Sequence, residues 1–452
     1  MTQNGTRNSF GPQNRPDSGN SRQNNESIVR QPGDGASATV LQGGNVNYST
    51  IDQTAGALAD VRQDGIFNLS TIGQNADGQS ATVDQGGGYG DNEWRIVQSA
   101  AANDASANVL QRSNSQKSQN PSNFSDIRQS GADGSVNVDQ DGGDQNSTVD
   151  QASTNSDATV RQRGEFNDST INQTSGDDNR STVDQRGDST QTTNQSGDRN
   201  TSTVQQFSSG NMADLTNVDQ SGNDNTSATE QYGSGGVINV TQRGNTNDAR
   251  VVQPSDSTAD VMQIGDLNRA TVFQQGGATD ASPSNADVTQ RGNGNGAEVT
   301  QEVGNGDVQI NQTGNGNFAR GFQQRSANTS PAGSTAQIDQ IASNGQVFFT
   351  QNGGGGHTLT VDQRGNGNLI RSAQGASLNG AEFMGLPGRG NGDTTVESSN
   401  DEEANLTQTG DGNTIASNQT GEGNLLNVLQ SGNGNTSNSS QSGFSNTANV
   451  TQ

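Results

Sequence analysis

Glutamine recurs along this chain at a step of 11 residues, and this recurrence constrains the fold more than any other feature. The step is kept by Gln419, Gln430, Gln441 and Gln452. After each of the first three, glycine follows two residues later and asparagine five residues later. Because such self-similarity marks stacked repeats, we predict one repeat array rather than several globular domains.

Each repeat alternates between two kinds of side chain, as a β-strand does. Residues 295, 297, 299 and 301 are Asn, Ala, Val and Gln, whereas the residues between them are Gly, Glu and Thr. A period of two places the first set on one face of a strand. Valine, isoleucine and threonine favour strands, and the glycine after almost every run excludes a helix.

The full period is about 22 residues, because two kinds of repeat take turns along the chain. A strong form, Q-x-G-x-x-N-x-[A/S/I]-x-[V/I/S]-x-Q, alternates with a looser form that tolerates insertion. Two strands joined by a glycine turn make a β-arch, and successive arches stack at roughly 4.8 Å. We therefore predict an all-β fold, a two-sheet β-solenoid of strand-turn-strand repeats with amyloid-like cross-β stacking.

Polar residues can set the register between stacked repeats because an amide carries both donor and acceptor groups. A column of identical amides pairs with itself, which removes the several kcal/mol that burying an unpaired polar group costs. The predicted structural ladder comprises Gln242, Asn247, Gln253, Gln290, Asn295, Gln301, Gln312, Asn317, Gln363, Asn368, Gln408, Asn413, Gln419, Asn424, Gln430, Asn435, Gln441, Asn446 and Gln452. The predicted arch glycines, which permit a positive φ, are Gly244, Gly292, Gly314, Gly365, Gly410, Gly421, Gly432 and Gly443.

Composition alone is typical of a disordered chain, since only 25% of the 452 residues are hydrophobic and 4% are aromatic. The position-specific parity argues against that interpretation. A net charge of −25 argues against nucleic acid as a partner. No run of eighteen apolar residues exists, so we expect no membrane span.

Few residues are available for catalysis. The chain has no cysteine, and its one histidine, His357, lies in a glycine run and is predicted to be an exposed loop residue. No second histidine completes a metal or nucleophile site. We expect no enzyme activity, no cofactor and no metal site, with calcium on outward aspartates left open. Those aspartates, predicted to form like-charge columns that slow premature aggregation, are Asp52, Asp84, Asp139, Asp150, Asp184, Asp219, Asp339 and Asp362.

The stretches "STVDQRGDSTQTTNQ", "VTQRGNGNGAEVTQ" and "VDQRGNGNLIRSAQ" follow the pattern S-x5-Q-x-G-x2-N-x5-Q wholly or nearly so. The sequence thereby resembles the curlin repeat, the building block of curli amyloid subunits. The resemblance implies a secreted bacterial protein that polymerises with itself into extracellular fibres for biofilm cohesion and adhesion. It also implies export through an outer-membrane pore and nucleation by a minor subunit. The chain itself shows no signal peptide, so export to the cell surface rests on the resemblance.

We divide the chain into a flexible polar segment (1–26), a repeat solenoid (27–374), a non-repeat loop or insertion (375–403) and C-terminal repeats (404–452). Both ends are expected to be open templates for head-to-tail stacking. Two alternatives remain at this point. One is a soluble monomeric β-solenoid that acts as an adhesin or ice-binding module, and the other is an intrinsically disordered matrix polymer.

Overall fold

All regular secondary structure in the described part of the protein is β-strand. The computed structural model describes residues 2–3, 9–14, 25–87, 92–113, 123–207, 213–233, 235–254, 256–275, 283–302, 305–325, 333–353, 356–375 and 401–452. Two compact units divide the chain, Met1–Ala228 and Thr229–Gln452, and their boundary falls inside strand β20 (Thr226–Gln231). Over the described ranges, no helix is long and apolar enough to cross a membrane.

The first unit contains two parallel sheets, one of odd-numbered and one of even-numbered strands. The odd-numbered strands are β1 (Thr2–Gln3), β3 (Glu26–Gln31), β5 (Tyr48–Gln53), β7 (Leu69–Gln74), β9 (Glu93–Gln98), β11 (Phe124–Gln129), β13 (Asn146–Gln151), β15 (Asn167–Ser175), β17 (Ser189–Ser196) and β19 (Asp214–Ser221). The even-numbered strands are β2 (Ser9–Asn14), β4 (Ser37–Asn45), β6 (Leu58–Ile66), β8 (Ser80–Gly87), β10 (Ser106–Ser113), β12 (Ser135–Gly143), β14 (Asp157–Glu165), β16 (Arg180–Arg186) and β18 (Thr201–Phe207).

The second unit repeats this arrangement, and all its pairings are also parallel. Its odd-numbered strands are β21 (Val237–Arg243), β23 (Ser257–Ile264), β25 (Ser284–Arg291), β27 (Asp307–Thr313), β29 (Thr335–Ile341), β31 (Thr358–Arg364), β33 (Glu403–Thr409), β35 (Leu425–Ser431) and β37 (Thr447–Thr451). Its even-numbered strands are β22 (Asp248–Gln253), β24 (Arg269–Gln274), β26 (Gly296–Glu302), β28 (Phe318–Arg325), β30 (Gln346–Gly353), β32 (Leu369–Gln374), β34 (Thr414–Glu422) and β36 (Thr436–Phe444).

Each strand pairs with the strand two positions further along the chain, so one solenoid turn consists of two strands. The register places equivalent residues side by side: β26 and β28 pair Ala297 with Ala319 and Gln301 with Gln323. These glutamines are 22 residues apart. The predicted all-β, two-sheet solenoid with a repeat of about 22 residues is confirmed for each unit.

The core is a set of narrow columns because the strand faces alternate. In β26 the inward side chains of Ala297 and Val299 are 1% exposed and that of Gln301 is 0% exposed. Small and branched apolar residues thus fill two inward columns, and glutamine fills the third. An apolar core this thin cannot by itself bury much surface, so the buried amides must be satisfied for the turn to be stable.

Larger core residues lie beside small residues in neighbouring turns. Phe349 of β30 pairs with Gly321 of β28, and a Cβ on this glycine would overlap the phenylalanine ring. Trp94 of β9 lies between Ser70 and Ser125 in the same manner. Side-chain volume is therefore balanced between neighbouring turns as well as within a turn.

The connections differ between the two edges of each turn. From odd-numbered to even-numbered strands they are short, and in β27 and β31 the next strand begins six residues after the ladder glutamine. From even-numbered to odd-numbered strands they vary, and β33 begins 29 residues after Gln374. Nevertheless, β33 pairs in register with β31. Most of the predicted loop, residues 376–400, and most of segment 1–26 lie outside the described residues.

Candidate functional site

Buried glutamines form hydrogen-bonded ladders that run through successive turns. The Nε2 atom of Gln290 donates to Oε1 of Gln312, one turn later, at 2.9 Å. Gln312 donates in the same way to Gln340 at 2.9 Å, and Gln340 to Gln363 at 2.9 Å. All these side chains are at most 2% exposed. Each amide is thus a donor to one neighbour and an acceptor for the other, which is what a self-paired column requires.

The second amide hydrogen ties the ladder to the opposite sheet. Nε2 of Gln290 also donates to the main-chain oxygen of Arg269, the first residue of β24, at 3.0 Å. Nε2 of Gln301 likewise donates to the main-chain oxygen of Asn285 at 3.1 Å. One buried side chain therefore joins neighbouring turns and also joins the two sheets, leaving no amide hydrogen unsatisfied.

Two such ladders occur in each unit, one per sheet. In the first unit they are Gln31, Gln53, Gln74, Gln98, Gln129, Gln151, Gln173, Gln195 and Gln220, and Gln42, Gln63, Gln85, Gln111, Gln140, Gln162, Gln185 and Gln206. In the second unit they are Gln242, Gln263, Gln290, Gln312, Gln340, Gln363, Gln408, Gln430 and Gln452, and Gln231, Gln253, Gln274, Gln301, Gln323, Gln351, Gln374, Gln419 and Gln441.

The arch asparagines form a further column just before the even-numbered strands. Oδ1 of Asn268 accepts both the main-chain N–H and the side-chain amide of Asn295, at 3.1 Å each. Nδ2 of Asn295 donates to the main-chain oxygen of Gly314 in the next turn at 2.9 Å. The column contains Asn247, Asn268, Asn295 and Asn317, is interrupted at Gly345, and continues with Asn368, Asn413 and Asn435. Asn424 and Asn446 lie in the other arch.

The arch glycines have a left-handed backbone and lie against the next turn. Gly292 has φ 112° and Gly314 has φ 114°. A Cβ on Gly292 would overlap the carbonyl oxygen of Gly314, and a Cβ on Gly410 would overlap that of Gly432. Glycine is therefore required for both its backbone conformation and the close approach of successive turns. The other predicted arch glycines, Gly244, Gly365, Gly421, Gly432 and Gly443, also have positive φ.

Residues 153–187 match the family model of the curlin associated repeat. This stretch carries Gln162, Gln173 and Gln185, which are ladder residues, and Asn167 and Asn179 of the arches. Residues 153–187 are thus similar to the curlin associated repeat. No curated protein matches the chain. The ladder geometry of the matched stretch recurs in both units, well beyond residues 153–187.

The repeats carry a further ladder that the sequence analysis missed. The residue after the arch glycine, or after Ala342 in one turn, uses its side-chain oxygen to accept the main-chain N–H of the same position in the previous turn. In the second unit this exposed arch ladder contains Asn245, Asp266, Asn293, Asn315, Ser343, Asn366, Asp411 and Asn433. The signal was present in the sequence as a recurrent Gly-Asn or Gly-Asp pair after the ladder glutamine.

His357 is not the exposed loop residue that its glycine-rich surroundings predicted. Its side chain is 1% exposed, and Nδ1 lies 3.6 Å from Oε2 of Glu402, which is 0% exposed. Burial lowers the pKa of His357 to about 4, opposed by a main-chain hydrogen bond at Asn352 and by the charge of Asp401. The prediction was wrong because His357 directly precedes β31, at a position where another turn of this unit places an inward asparagine, Asn424.

Most of the outward aspartates do not form the predicted like-charge columns. Asp339 does pair in register with Asp362. By contrast, the register places Asp52 beside Arg30, Asp84 beside Arg62, Asp139 and Asp184 beside Arg161, and Asp150 beside Arg128. The nitrogen–oxygen distance is 3.8 Å for both Arg62–Asp84 and Arg161–Asp184. Most of these carboxylates are thus flanked by a positive charge, which the sequence could not show without the register.

Like charges also pair two residues earlier on the strands, at a pair that the sequence analysis did not select. Asp260 of β23 pairs with Asp287 of β25. Burial raises the pKa of Asp287, and the charge of Asp260 raises it further. Protonation of this carboxyl at acidic pH therefore relieves repulsion between two adjacent turns.

Proposed function

We propose that this chain is a structural subunit of extracellular, curli-like amyloid fibres that support biofilm cohesion and adhesion. Copies join by stacking the last turn of one solenoid on the first turn of the next. The function is mechanical rather than catalytic, and the chief partner is another copy of the chain. A nucleating subunit and an outer-membrane export pore complete the proposal through the resemblance of its repeats to curlins.

The observation that supports this proposal is the identity of the contacts between turns. Successive turns present glutamine amides and main-chain groups, and in most turns of the second unit an arch asparagine, to a turn with equivalent residues in the same register. A second copy with the same register would make these contacts again without any new type of interaction. Unpaired strand edges are templates for such addition.

In the 452-residue chain, the template is formed by β36 and β37. β36 pairs with β34 and β37 with β35, and no described strand of the second unit pairs with their other edges. Nε2 of Gln441 donates a hydrogen bond to the main-chain oxygen of Leu425, and Nε2 of Gln452 donates one to the main-chain oxygen of Thr436. Each therefore has one amide hydrogen left with which it could donate to the glutamine of an added turn.

A soluble monomeric adhesin or ice-binding module is the second candidate, and one observation favours it. Outward threonines stack in register on successive strands, as in Thr148, Thr170 and Thr192. This column ends at Asp126 on one side and at Asn217 on the other. A threonine surface three turns long is shorter than the ladders, so the fibre is the proposal that more of the structure supports.

The test is seeded elongation of the purified chain, followed by thioflavin fluorescence and electron microscopy. A variant with Gln441→Ala and Gln452→Ala should elongate more slowly, because two ladder positions at the growing edge are lost. Its matched control, with Ser440→Ala and Thr451→Ala, changes outward neighbours on the same strands and should elongate like the wild type. Equal elongation of all three proteins would contradict end-on growth, and a monomer without fibres would favour the soluble module.

A further inference from the structure

Four Asn-Gly pairs lie in the exposed arch ladder of the second unit, at equivalent positions in four turns. They are Asn293-Gly294, Asn315-Gly316, Asn366-Gly367 and Asn433-Gly434. All eight residues are exposed to solvent. Asparagine followed by glycine is chemically labile, because glycine has no side chain to keep its main-chain nitrogen away from the asparagine amide.

The reaction at such a pair is succinimide formation. The main-chain nitrogen of the glycine loses its proton and attacks Cγ of the asparagine. A Cγ–N bond forms, the Cγ–Nδ2 bond breaks, and Nδ2 leaves as ammonia with the proton. Water then opens the ring at either of its two carbonyl–nitrogen bonds, giving aspartate or isoaspartate. No oxidant, reductant or enzyme is required.

In this structure, one residue of the preceding turn holds both reacting groups. The main-chain N–H of Asp266 donates to Oδ1 of Asn293 at 2.9 Å, and its carbonyl oxygen accepts the N–H of Gly294 at 2.9 Å. Attack requires the glycine nitrogen to lose that hydrogen and the asparagine side chain to turn toward it. The two hydrogen bonds oppose both movements.

The same two-point contact recurs at the other three pairs. In each, a main-chain N–H of the preceding turn donates to the asparagine Oδ1, and the carbonyl oxygen of the same residue accepts the glycine N–H. The two distances are 2.8 and 2.9 Å from Asn293 to Asn315-Gly316, 3.2 and 3.0 Å from Ser343 to Asn366-Gly367, and 2.9 and 2.9 Å from Asp411 to Asn433-Gly434. We propose that these four asparagines are deamidation sites that are reactive while the chain is unfolded and are protected once the turns have stacked.

The two products have different consequences for stacking. Asp266 and Asp411 occupy the same ladder position, and each Oδ1 accepts a main-chain N–H from the preceding turn at 2.7 Å. An aspartate product therefore fits the ladder. Isoaspartate adds a methylene to the main chain, which lengthens a tight arch and displaces its N–H and C=O groups from the neighbouring turn. Time spent unfolded thus reduces the fraction of chains that can stack.

The test compares deamidation in the folded full chain, in the full chain unfolded in urea, and in a peptide of residues 290–297. All three are incubated at the same mildly alkaline pH, and peptide mapping by mass spectrometry follows both products at each asparagine. Because a protected site reacts from an opened state only, we expect Asn293 to react at least about tenfold more slowly in the folded chain than in the peptide, and all four sites at least about tenfold more slowly than in the unfolded chain. Equal rates in the folded chain and the peptide would overturn the proposal.

A pair of variants tests the difference between the products. Asn293→Asp keeps an acceptor at the ladder position and should unfold at the wild-type denaturant midpoint. Asn293→Ala removes the acceptor for the N–H of Asp266 and should unfold at a lower midpoint. If both variants were destabilised equally, an aspartate product would not fit the ladder, and that part of the proposal would be wrong.

Discussion

Gln363 and Gln408 are 45 residues apart in the sequence, yet Nε2 of Gln363 donates to Oε1 of Gln408 at 3.0 Å. Pairs on either side of them are separated by 23 and 22 residues and have distances of 2.9 and 3.0 Å. The ladder geometry is therefore the same whatever the length of the connection. Register is determined by the buried amides and the strand pairing, while the variable arches accommodate differences in length.

A break in a ladder should destabilise the fold strongly. Gln301→Ala removes the acceptor for Gln274, the donor to Gln323 and the donor to the main-chain oxygen of Asn285. Leaving buried polar groups unsatisfied costs about 1–3 kcal/mol per group, so we expect a loss of roughly 3 kcal/mol. Urea denaturation measures this loss. The outward control Thr300→Ala should change stability by less than about 0.5 kcal/mol, and similar midpoints for the two variants would refute a stabilising ladder.

Two arch glycines should respond differently to the same substitution. Gly410 and Gly432 have φ 97° and 101°, so an added Cβ costs each about 1 kcal/mol in backbone strain. At Gly410 the Cβ also overlaps the carbonyl of Gly432, whereas at Gly432 it meets only Nδ2 of Asn435, at 3.7 Å. Gly410→Ala should therefore destabilise the monomer by a further 1–3 kcal/mol or so.

Gly432→Ala should leave a monomer that is only slightly less stable but elongates poorly, since its Cβ projects toward the turn that an added copy would supply. Thermal unfolding and seeded elongation of the two variants measure the two effects separately. Normal elongation of Gly432→Ala would argue against a joint that repeats the contact between turns.

His357 should make folding stability depend on pH below neutrality. Its folded pKa of about 4 lies below the usual value of 6.5, so the unfolded chain binds the proton first as pH falls. The free energy of unfolding therefore has its full value above pH 6.5. It decreases by about 3 kcal/mol as the pH falls from 6.5 to about 4.

His357→Asn removes this titration and places at the site a residue that occurs at the equivalent position of Asn424. Measured with Glu402→Gln in both proteins, the difference in unfolding free energy between the forms without and with His357→Asn should change by about 3 kcal/mol between about pH 7 and pH 4, because the titrating groups that do not contact residue 357 cancel. A constant difference over that range would contradict the burial of His357.

The pair Phe349 and Gly321 should show coupled stability. Phe349→Ala leaves a cavity in the core and should cost about 3–5 kcal/mol. Gly321→Ala should destabilise the wild type, since its Cβ overlaps the Phe349 ring. In the Phe349→Ala background the same substitution should stabilise, because it fills part of the cavity. Denaturation of the four proteins tests this sign reversal, and additive effects would show that the two positions are not in contact.

The fold could be predicted from the sequence because both periods, 2 and about 22 residues, are visible in the order of residue types along the chain. The parity that placed Ala297, Val299 and Gln301 on one face needs no knowledge of any other turn. What the sequence could not reveal depends on register between turns. Arg161 and Asp184 lie in different repeats, and their proximity becomes apparent once β14 and β16 are aligned.

The site was predictable to the extent that it repeats. Glutamine and glycine recur often enough to be recognised one by one, whereas the exposed arch ladder mixes Asn, Asp and Ser, so that its common role was hidden. His357 was misjudged for a related reason. Its neighbours are glycines, and its inward direction follows from the turn position, which is apparent after alignment with Glu402 and Asn424.

The most direct measurement is a cryo-electron microscopy map of the chain after incubation to completion. We expect fibres in which Gln441 and Gln452 of one copy continue the two glutamine ladders into the next copy, with the parallel register unbroken across the joint. Monomeric particles, or fibres joined through outward faces while the edges of β36 and β37 remain unpaired, would contradict this expectation.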